Sequence, residues 1–353
     1  MAHRVIQWGT GNVGIRSLRA IIGHPDLELV GLWVHSDNKV GVDAGELCGL
    51  PPVGVAATND ADALLALDAD CVAYMATADL RPGEAVEDLS RILASGKNVV
   101  STSVVPLIHP KTGEKAWVDT LEKACAEGGT SCWTSGIDPG FGNDLIPIAL
   151  LSACQEVRSV RVMEILNYDT YDQATVLFET MGFGQALDAT PLLLFPGALT
   201  LAWGGVVGEI AEALGVEVDE IKEVSERQPA PERFSIPAGT VEKGTTAALR
   251  FEVQGIIEGR PAIVVEHVTR LRDDLAPEWP QPVAGGCYRI LIDGYPSIQA
   301  DVQLAGADGD HNDAGLVATA ARVLNGIPAV VDAPPGLLSA LDIPVAACRG
   351  VLR

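Results

Sequence analysis

The chain has 353 residues, enough for two domains of ordinary size that each bury a core. Its 47 acidic and 24 basic side chains give a formal net charge of −23, which argues against a nucleic-acid partner because such partners require clustered positive charge. Hydrophobic residues make up 48% and charged residues 20%, a composition typical of a folded globular protein.

The cysteines and apolar stretches bear on the cellular compartment. Seven widely spaced cysteines without a C-x-x-C pair fit neither a disulfide framework nor a zinc site. The opening MAHRVIQW lacks the long apolar stretch of a signal peptide. An apolar stretch at 192–208 contains Pro196 and several glycines, which favours a buried helix over a membrane span. We therefore expect a cytoplasmic protein with no membrane partner and no metal site.

The first 140 residues alternate short apolar strands with helical patterns. Strands are predicted at RVIQWG, LELVGLWVH, DCVAYMAT, NVVSTS and TSCWTSG, with helices between them. Such alternation is typical of parallel β-α-β units. The pattern predicts an α/β fold, with a Rossmann-type doubly wound parallel sheet over residues 1–145.

The first strand runs directly into the turn GTGNVG, which then opens a helix. This strand–turn–helix context is what a dinucleotide-binding G-x-G-x-x-G motif requires. The first glycine permits the tight turn, the second lets backbone approach a pyrophosphate, and the third lets the helix pack closely on the strand. The predicted cofactor contacts in the turn are Gly9, Gly11, Asn12, Val13 and Gly14.

The end of the second strand, VHSDNK, bears on which dinucleotide binds. Ser36 and Lys39 favour the 2′-phosphate of NADP, whereas Asp37 could accept from the unphosphorylated ribose of NAD. We expect NADP(H) to be preferred, with NAD(H) possible. In this fold the loops after the third and fourth strands run beneath the nicotinamide and its ribose. They supply the further candidates Ala76, Thr77, Ser101 and Thr102.

After residue 145 the regular alternation ends. A strand is predicted at 157–167, a helical segment ending in a Pro-rich loop at 203–234, and two hairpins turned at EGRP and DGYP. These elements predict an α+β second domain over 146–310 with a mixed or antiparallel sheet. Residues 311–353 are predicted to return to the first domain as a helical segment.

Four segments together resemble the dihydrodipicolinate reductase-like superfamily: GTGNVG, LELVG, SGIDPGF and NGIPAVVDAPPGLL. The nearest likeness is to the branch of 2,4-diaminopentanoate dehydrogenases and native amine dehydrogenases, and it covers nearly the whole chain. The resemblance implies a Rossmann domain, a second domain that helps to form a homodimer, and hydride transfer between a nicotinamide and a C=N or C=O carbon.

The sequence departs from these relatives at two places. The reductases carry a His-His-x-x-x-Lys motif, but the matching stretch here, EILNYDTYDQAT, has neither His nor Lys. Amine dehydrogenases of this branch resemble one another in a Glu after the strand that matches NVVSTS, where this chain has Val104 and Val105. Valine cannot balance a cationic imine, which favours a neutral carbonyl or a preformed imine as substrate.

Four residues are candidates for the proton donor. His109 follows the fourth strand and has a suitable unperturbed pKa, although a loop histidine is the simpler interpretation. Tyr168 and Tyr171 follow the strand at 157–167, and Glu164 is a carboxylate inside that apolar strand, where a partner or a task is implied.

Two other polar residues are interpreted structurally at this stage. His267 is expected to be a sheet residue satisfied by its neighbours, and Asp138 to shape the junction loop. The sequence thus predicts an NAD(P)H-dependent oxidoreductase acting on a small, largely apolar carbonyl or imine. The alternatives are an amine dehydrogenase that aminates ketones or aldehydes with ammonia, and a non-catalytic NADP(H)-binding sensor.

Overall fold

The structure, a computed structural model, describes residues 2–78, 81–306 and 308–352. The chain divides into two compact units, Met1–Ile137 with Leu316–Arg353, and Asp138–Gly315. In chain order the elements are β1 (His3–Trp8), α1 (Asn12–Gly23), β2 (Leu27–Trp33), α2 (Ala44–Leu47), β3 (Ala57–Thr58), α3 (Ala61–Leu65), β4 (Cys71–Tyr74), α4 (Pro82–Ala94), β5 (Asn98–Ser101), α5 (Lys115–Gly128), β6 (Ser131–Thr134), α6 (Leu145–Leu151), β7 (Glu156–Asn167), α7 (Ala198–Leu214), β8 (Glu220–Pro229), β9 (Phe234–Ile236), β10 (Gly239–Val241), β11 (Thr246–Ile257), β12 (Arg260–Arg270), β13 (Gly286–Tyr295), β14 (Ile298–Val302), α8 (His311–Asp332) and β15 (Gly336–Leu338).

The first unit is built on a parallel sheet with the strand order β15-β6-β5-β4-β1-β2-β3. Strands β4 and β6 are buried along their whole length because helices cover both faces of such a sheet. The C-terminal segment adds β15 beside β6 and so extends this sheet. The predicted Rossmann-type parallel sheet is confirmed.

Helix α8 is 22 residues long and is apolar enough to cross a membrane by length and composition alone. Four of its side chains, Val323, Leu324, Ile327 and Val330, are buried in the core of the first unit with residues of β1, β4 and β6. A core helix of a folded domain passes the same test, and these four side chains give α8 a core-packed face.

The second unit contains a six-stranded sheet with the order β14-β13-β7-β12-β11-β8. Strands β7 and β12 pair in parallel and the other neighbours pair antiparallel, so the sheet is mixed, as predicted. Helix α7 packs closely on β11, where a Cβ on Gly255 would lie 2.5 Å from a methyl group of Val207. One face of the sheet is therefore covered by α7.

The prediction of a helical segment over 203–234 is wrong in its second half. Helix α7 ends at Leu214 because Gly215 adopts a left-handed conformation, with φ of 67°. Residues 220–229 then form the edge strand β8, which pairs with β11 despite the charged sequence EIKEVSERQP. Charged side chains on an edge strand discourage pairing with other chains, so this composition suits its position.

The two units meet in sequence at different residues from the predicted domain boundaries. The structure places the first boundary at 137/138 and the second at 315/316, whereas the sequence predicts 145/146 and 310/311. The loop 138–144 belongs with the second unit because Asp138 accepts hydrogen bonds from Asn143 and Trp203. This assignment brings Asp138 into the same unit as the sheet residues described below.

Candidate functional site

The glycine turn between β1 and α1 has the geometry that a bound pyrophosphate needs. Gly9 has a φ of 96°, and a Cβ there would lie 3.0 Å from the Ala76 nitrogen. A Cβ on Gly14 would lie 2.4 Å from the Gly9 carbonyl oxygen, so this position brings α1 close to the turn. At Gly11 a Cβ would meet no described atom within 4 Å, which leaves the approach to the backbone open. These three positions fit a dinucleotide.

The surroundings of the turn also suit an anion. The buried Gln7 side chain donates to the Gly9 carbonyl oxygen at 2.9 Å and accepts from the Ser17 hydroxyl at 2.7 Å, which holds the turn against α1. Gly11 is the N-cap of α1 and no described side chain caps the helix there. The first-turn N–H groups, including those of Asn12 and Val13, are thus available to a phosphate.

The residues after β2 lie beside the glycine turn. Lys39 Nζ donates to the Thr10 hydroxyl at 3.0 Å and lies 3.3 Å from the Thr10 carbonyl oxygen. The Asp37 carboxylate accepts from Asn59 at 3.1 Å, and Ser36 is exposed. The arrangement places a cation next to the turn and ties the competing carboxylate to Asn59, the residue after β3.

The loops after β4 and β5 contain the other predicted cofactor contacts. Ala76 approaches Gly9, and Thr77 is exposed. Ser101 is fully buried and its hydroxyl accepts from the Ser103 nitrogen at 2.9 Å, so it shapes its own loop. Thr102 is half-buried and its hydroxyl donates to the Met75 sulfur at 3.3 Å.

His109, Val104 and Val105 also lie in the first unit. His109 is buried, with Nδ1 2.9 Å from the Thr112 hydroxyl, as expected of a loop histidine. Val104 packs in the core beneath α4 and α5, and its backbone is left-handed, with φ of 54°. A β-branched residue is disfavoured in this conformation, so the surrounding loop must hold it there.

In the second unit, strand register brings four side chains of the sheet into one row. Tyr288 on β13 pairs with Glu164 on β7, Glu164 pairs with His267 on β12, and His267 pairs with Phe251 on β11. Residues directly opposite one another on neighbouring strands point to the same face of a sheet. This is the face that α7 covers, and Trp203 of α7 contacts both His267 and Phe251.

His267 lies between two buried carboxylates. Its Nε2 is 3.2 Å from Asp138 Oδ1, and its Nδ1 is 3.4 Å from Glu164 Oε1. The imidazole ring stacks on Phe251, with ring centroids 4.6 Å apart, and lies 4.5 Å from the Trp203 ring. We call Asp138, Glu164 and His267 the buried cluster.

Neighbouring donors orient both carboxylates of the buried cluster. Asp138 Oδ1 accepts from Trp203 Nε1 at 2.6 Å and from Asn143 Nδ2 at 2.7 Å. Glu164 Oε1 accepts from the Tyr168 hydroxyl at 2.8 Å. The second oxygen of Asp138, Oδ2, is buried without a hydrogen-bond partner among the described residues. A buried polar atom of this kind calls for a water, an ion or a ligand that donates to it.

The electrostatics of the buried cluster favour a protonated histidine. Burial favours the neutral imidazole, but Asp138 and Glu164 outweigh it and raise the pKa of His267 to about 10. Burial and the Glu164 charge together raise the pKa values of Tyr168 and Tyr288 well above their usual range. One imidazolium against two carboxylates leaves the cluster with a formal net charge of −1.

The three side chains also lie within 4.8 Å of one another, as metal ligands do. However, the two nitrogens of His267 face different carboxylates. A metal bound at one ring nitrogen would leave the other carboxylate facing the far side of the ring. Oδ1 of Asp138 and Oε1 of Glu164 already accept from neighbouring donors, whereas Asp138 Oδ2 has no partner among the described residues. The three side chains form an ion cluster in which each carboxylate faces one nitrogen of His267 and is hydrogen bonded to a neighbouring side chain.

The structure brings together three of the four residues predicted as proton donors. Glu164 and Tyr168 are hydrogen bonded, and Tyr171 stacks on Tyr168 with ring centroids 5.1 Å apart. His109 belongs to the first unit. The sequence alone does not predict that Asp138, Trp203 and His267 lie together. The available signal was a polar side chain inside each of two apolar strands, Glu164 in VMEIL and His267 in VVEHV. The strand register places these two residues opposite each other.

Comparison with known proteins agrees with this architecture. Residues 141–351 match the family described as the 2,4-diaminopentanoate dehydrogenase C-terminal domain. The chain is 43% identical, over 98% of both lengths, to an amine dehydrogenase of Streptomyces virginiae. The chain belongs to this branch of the dihydrodipicolinate reductase-like superfamily.

More distant relatives agree with this family assignment. A 2,4-diaminopentanoate dehydrogenase of Acetoanaerobium sticklandii is 24% identical over 74% of this chain and 70% of its own. The solved structure of the amine dehydrogenase from Mycobacterium smegmatis superposes with a TM-score of 0.78 at 21% identity, over 98% of this chain and 97% of that one, and shows the same fold. The predicted family is confirmed, and the chain is an NAD(P)-dependent oxidoreductase.

Proposed function

We propose that this chain is an NADP(H)-preferring amine dehydrogenase. In the proposed reaction a small, largely apolar ketone or aldehyde, ammonium and NADPH give a primary amine, NADP⁺ and water. The observation that carries the proposal is the buried cluster, with its formal charge of −1 and the unpartnered Oδ2 of Asp138. When bound, the nicotinamide supplies or accepts the hydride.

The charge of the cluster suits a nitrogen that is cationic in the reaction. Ammonium, the iminium formed from ketone and ammonia, and the protonated amine each carry one positive charge and at least one N–H donor. Such a group would neutralise the cluster and donate to Asp138 Oδ2 in a water-poor site, where charge interactions are strong. A neutral carbonyl offers neither the charge nor the donor.

This proposal changes the preference that the sequence alone supports. The sequence has no acid at Val104 or Val105, and it therefore favours a carbonyl or a preformed imine over reductive amination. In the structure Asp138 and Glu164 supply buried carboxylates from other segments of the chain. The test below distinguishes the proposed activity from two rival functions. These are carbonyl reduction without ammonia and cofactor binding without turnover.

The preference for NADP(H) rests on the residues after β2. The ammonium group of Lys39 lies at the glycine turn, and Asp37 is hydrogen bonded to Asn59. A cation beside the turn favours a 2′-phosphate, and a carboxylate engaged elsewhere competes less for a ribose hydroxyl. The exposed Ser36 offers a further donor.

We further propose that the protein is a cytoplasmic homodimer that pairs through the sheet of the second unit. The face opposite α7 carries Arg161, Arg250, Glu252 and Glu266 in one ion-paired network, with both arginine side chains 30% exposed. Alternating charges of this kind are self-complementary across a twofold axis. Light scattering that gives twice the 37.0 kDa chain mass would support the dimer, and the chain mass alone would contradict it.

The oxidative direction provides the test of the proposed activity. The protein is incubated with NADP⁺ and a small alkylamine at alkaline pH, and formation of NADPH is followed by absorbance while the ketone is identified by mass spectrometry. We expect NADPH and ketone in equal amounts. Oxidation of the matching secondary alcohol but not of the amine would favour carbonyl chemistry, and binding of NADPH without any turnover would favour the sensor.

A further inference from the structure

The two oxygens of the Asp138 carboxylate have different surroundings. Trp203 Nε1 donates to Oδ1 at 2.6 Å, and Asn143 Nδ2 donates to the same oxygen at 2.7 Å. His267 Nε2 also lies 3.2 Å from Oδ1. Oδ2 is buried and has no hydrogen-bond partner among the described residues. The side-chain donors therefore converge on one oxygen and leave the other free.

Both donors are themselves held in place. The Asn143 side-chain oxygen accepts from the Gly140 nitrogen at 2.9 Å, so the amide group must direct Nδ2 towards Asp138. The Trp203 ring packs against the His267 ring, with centroids 4.5 Å apart. The two donors thus fix the plane of the Asp138 carboxylate, and with it the direction of the oxygen that has no partner.

The two donors come from different parts of the second unit. Asn143 lies in the same loop as Asp138, five residues further along the chain. Trp203 lies on α7, the helix that packs on β11 of the sheet. Of the two donors, Trp203 is therefore the one that ties the carboxylate to the helix covering the sheet. An indole nitrogen is a donor only, so this contact can form in one sense alone.

We propose that Trp203 is a positioning residue for the cationic nitrogen of the reaction. Its N–H engages one oxygen of Asp138 and so holds the other in a fixed direction, as the acceptor for an N–H of ammonium, the iminium or the amine. This inference rests on the proposed function, in which Asp138 receives that nitrogen. Trp203 acts through Asp138. Hydrogen bonds weaken steeply when they bend, so a carboxylate that is free to turn binds the nitrogen less tightly.

The sharpest variant replaces the Trp203 indole with benzothiophene, by incorporation of benzothienylalanine. The bicyclic shape is kept, but sulfur takes the place of the N–H. We expect KM for ammonium to rise about tenfold, while KM for the ketone and the melting temperature stay close to wild type. The same replacement at Trp279, a buried residue in the loop after β12, is the matched control and should change neither KM.

The split between the two KM values separates positioning from a purely structural role. Trp203→Phe also removes the N–H and should raise KM for ammonium to a similar extent. If Trp203 served only to fill space, the benzothienylalanine variant would behave as wild type, because its shape is the same. An unchanged KM for ammonium in that variant would therefore overturn the proposal, as would an equal rise in KM for the ketone.

A titration without turnover distinguishes this inference from the proposed function. Methylammonium chloride is titrated into the protein in the absence of ketone and followed by calorimetry, with sodium chloride as the blank. We expect saturable binding by the wild type and about tenfold weaker binding by both Trp203 variants. If the wild type binds methylammonium but aminates no ketone, the proposed function fails, while the variants still decide the role of Trp203. Equal binding by wild type and variants, or no binding by the wild type, would overturn the inference.

Discussion

The glycine turn of the first unit and the buried cluster of the second unit offer a ligand opposite kinds of contact. The turn consists of six consecutive residues and offers backbone N–H groups and open space, as the absence of any described atom near a Cβ on Gly11 shows. The cluster consists of charged side chains from three separate segments, buried among aromatic rings. The turn therefore depends on the lack of side chains, and the cluster on the balance of their charges.

This comparison implies that removing one charge from the cluster should lower activity more than a substitution in the turn weakens cofactor binding. Asp138→Asn keeps the shape of the side chain but removes its charge, and the cluster loses its net negative charge. We expect kcat/KM for reductive amination to fall about a thousandfold, as when a preorganised charge partner is lost from an active site.

The matched control for this variant is Glu266→Gln. Glu266 is also a buried carboxylate in the same sheet, adjacent in sequence to His267, but it lies on the opposite face and pairs with Arg161 and Arg250. Its substitution should lower stability while leaving kcat/KM per folded molecule within a few-fold of wild type. Comparable loss of activity in both variants would remove the distinction between the two faces.

In the glycine turn, two substitutions of equal size should separate binding from folding. Gly14→Ala places a methyl group against the Gly9 carbonyl and should lower the melting temperature. Gly11→Ala meets no described atom, so the melting temperature should stay close to wild type while NADPH binding weakens about a hundredfold. Calorimetric titration and thermal unfolding of both variants provide the measurements, and tight NADPH binding by Gly11→Ala would contradict the proposed pyrophosphate position.

The charge of His267 should make stability depend on pH. Its folded-state pKa of about 10 lies above the unfolded value of 6.5, so folding takes up a proton between these pH values. The stabilisation is fully present below pH 6.5 and is lost as pH rises through 10. We expect the difference in unfolding free energy between wild type and His267→Gln to fall by about 1 kcal/mol per pH unit in this window. Urea unfolding from pH 6 to pH 10 would measure it, and a constant difference would mean that His267 is neutral in the fold.

The smallest expected effect concerns the choice of cofactor. Lys39→Ala removes the ammonium group beside Thr10 and should weaken NADPH binding about tenfold, with little change for NADH. Lys115→Ala, which removes an exposed lysine paired with Asp119, serves as the control. It should alter the binding of neither NADPH nor NADH. An equal loss for both cofactors in Lys39→Ala would assign the residue to the turn itself rather than to the 2′-phosphate.

The sequence predicts the first region far better than the second for a physical reason. The strand, turn and helix around GTGNVG are consecutive, so their spacing alone fixes the geometry. Asp138, Glu164 and His267 are distant in sequence, and their contact depends on the register of β7 and β12 and on the loop that Asn143 organises. No local pattern contains that register.

The same limit explains two other results. The strand β8 has a charged sequence that resembles a solvated helix, and only its pairing with β11 determines its structure. The sequence identifies Glu164 because a carboxylate inside an apolar strand demands a partner. It leaves His267 as a satisfied sheet residue, because the two carboxylates that raise the pKa of this histidine are invisible without the fold.

The most direct test of the central claim is the initial rate of NADPH oxidation by the wild-type protein with a small apolar ketone, in ammonium chloride and in sodium chloride at equal ionic strength. If the buried cluster serves a cationic nitrogen, the rate should rise with ammonium and saturate, with the primary amine as product, and be near background in sodium chloride. An equal rate in both salts, with the alcohol as product, would contradict the account and assign the protein to carbonyl reduction.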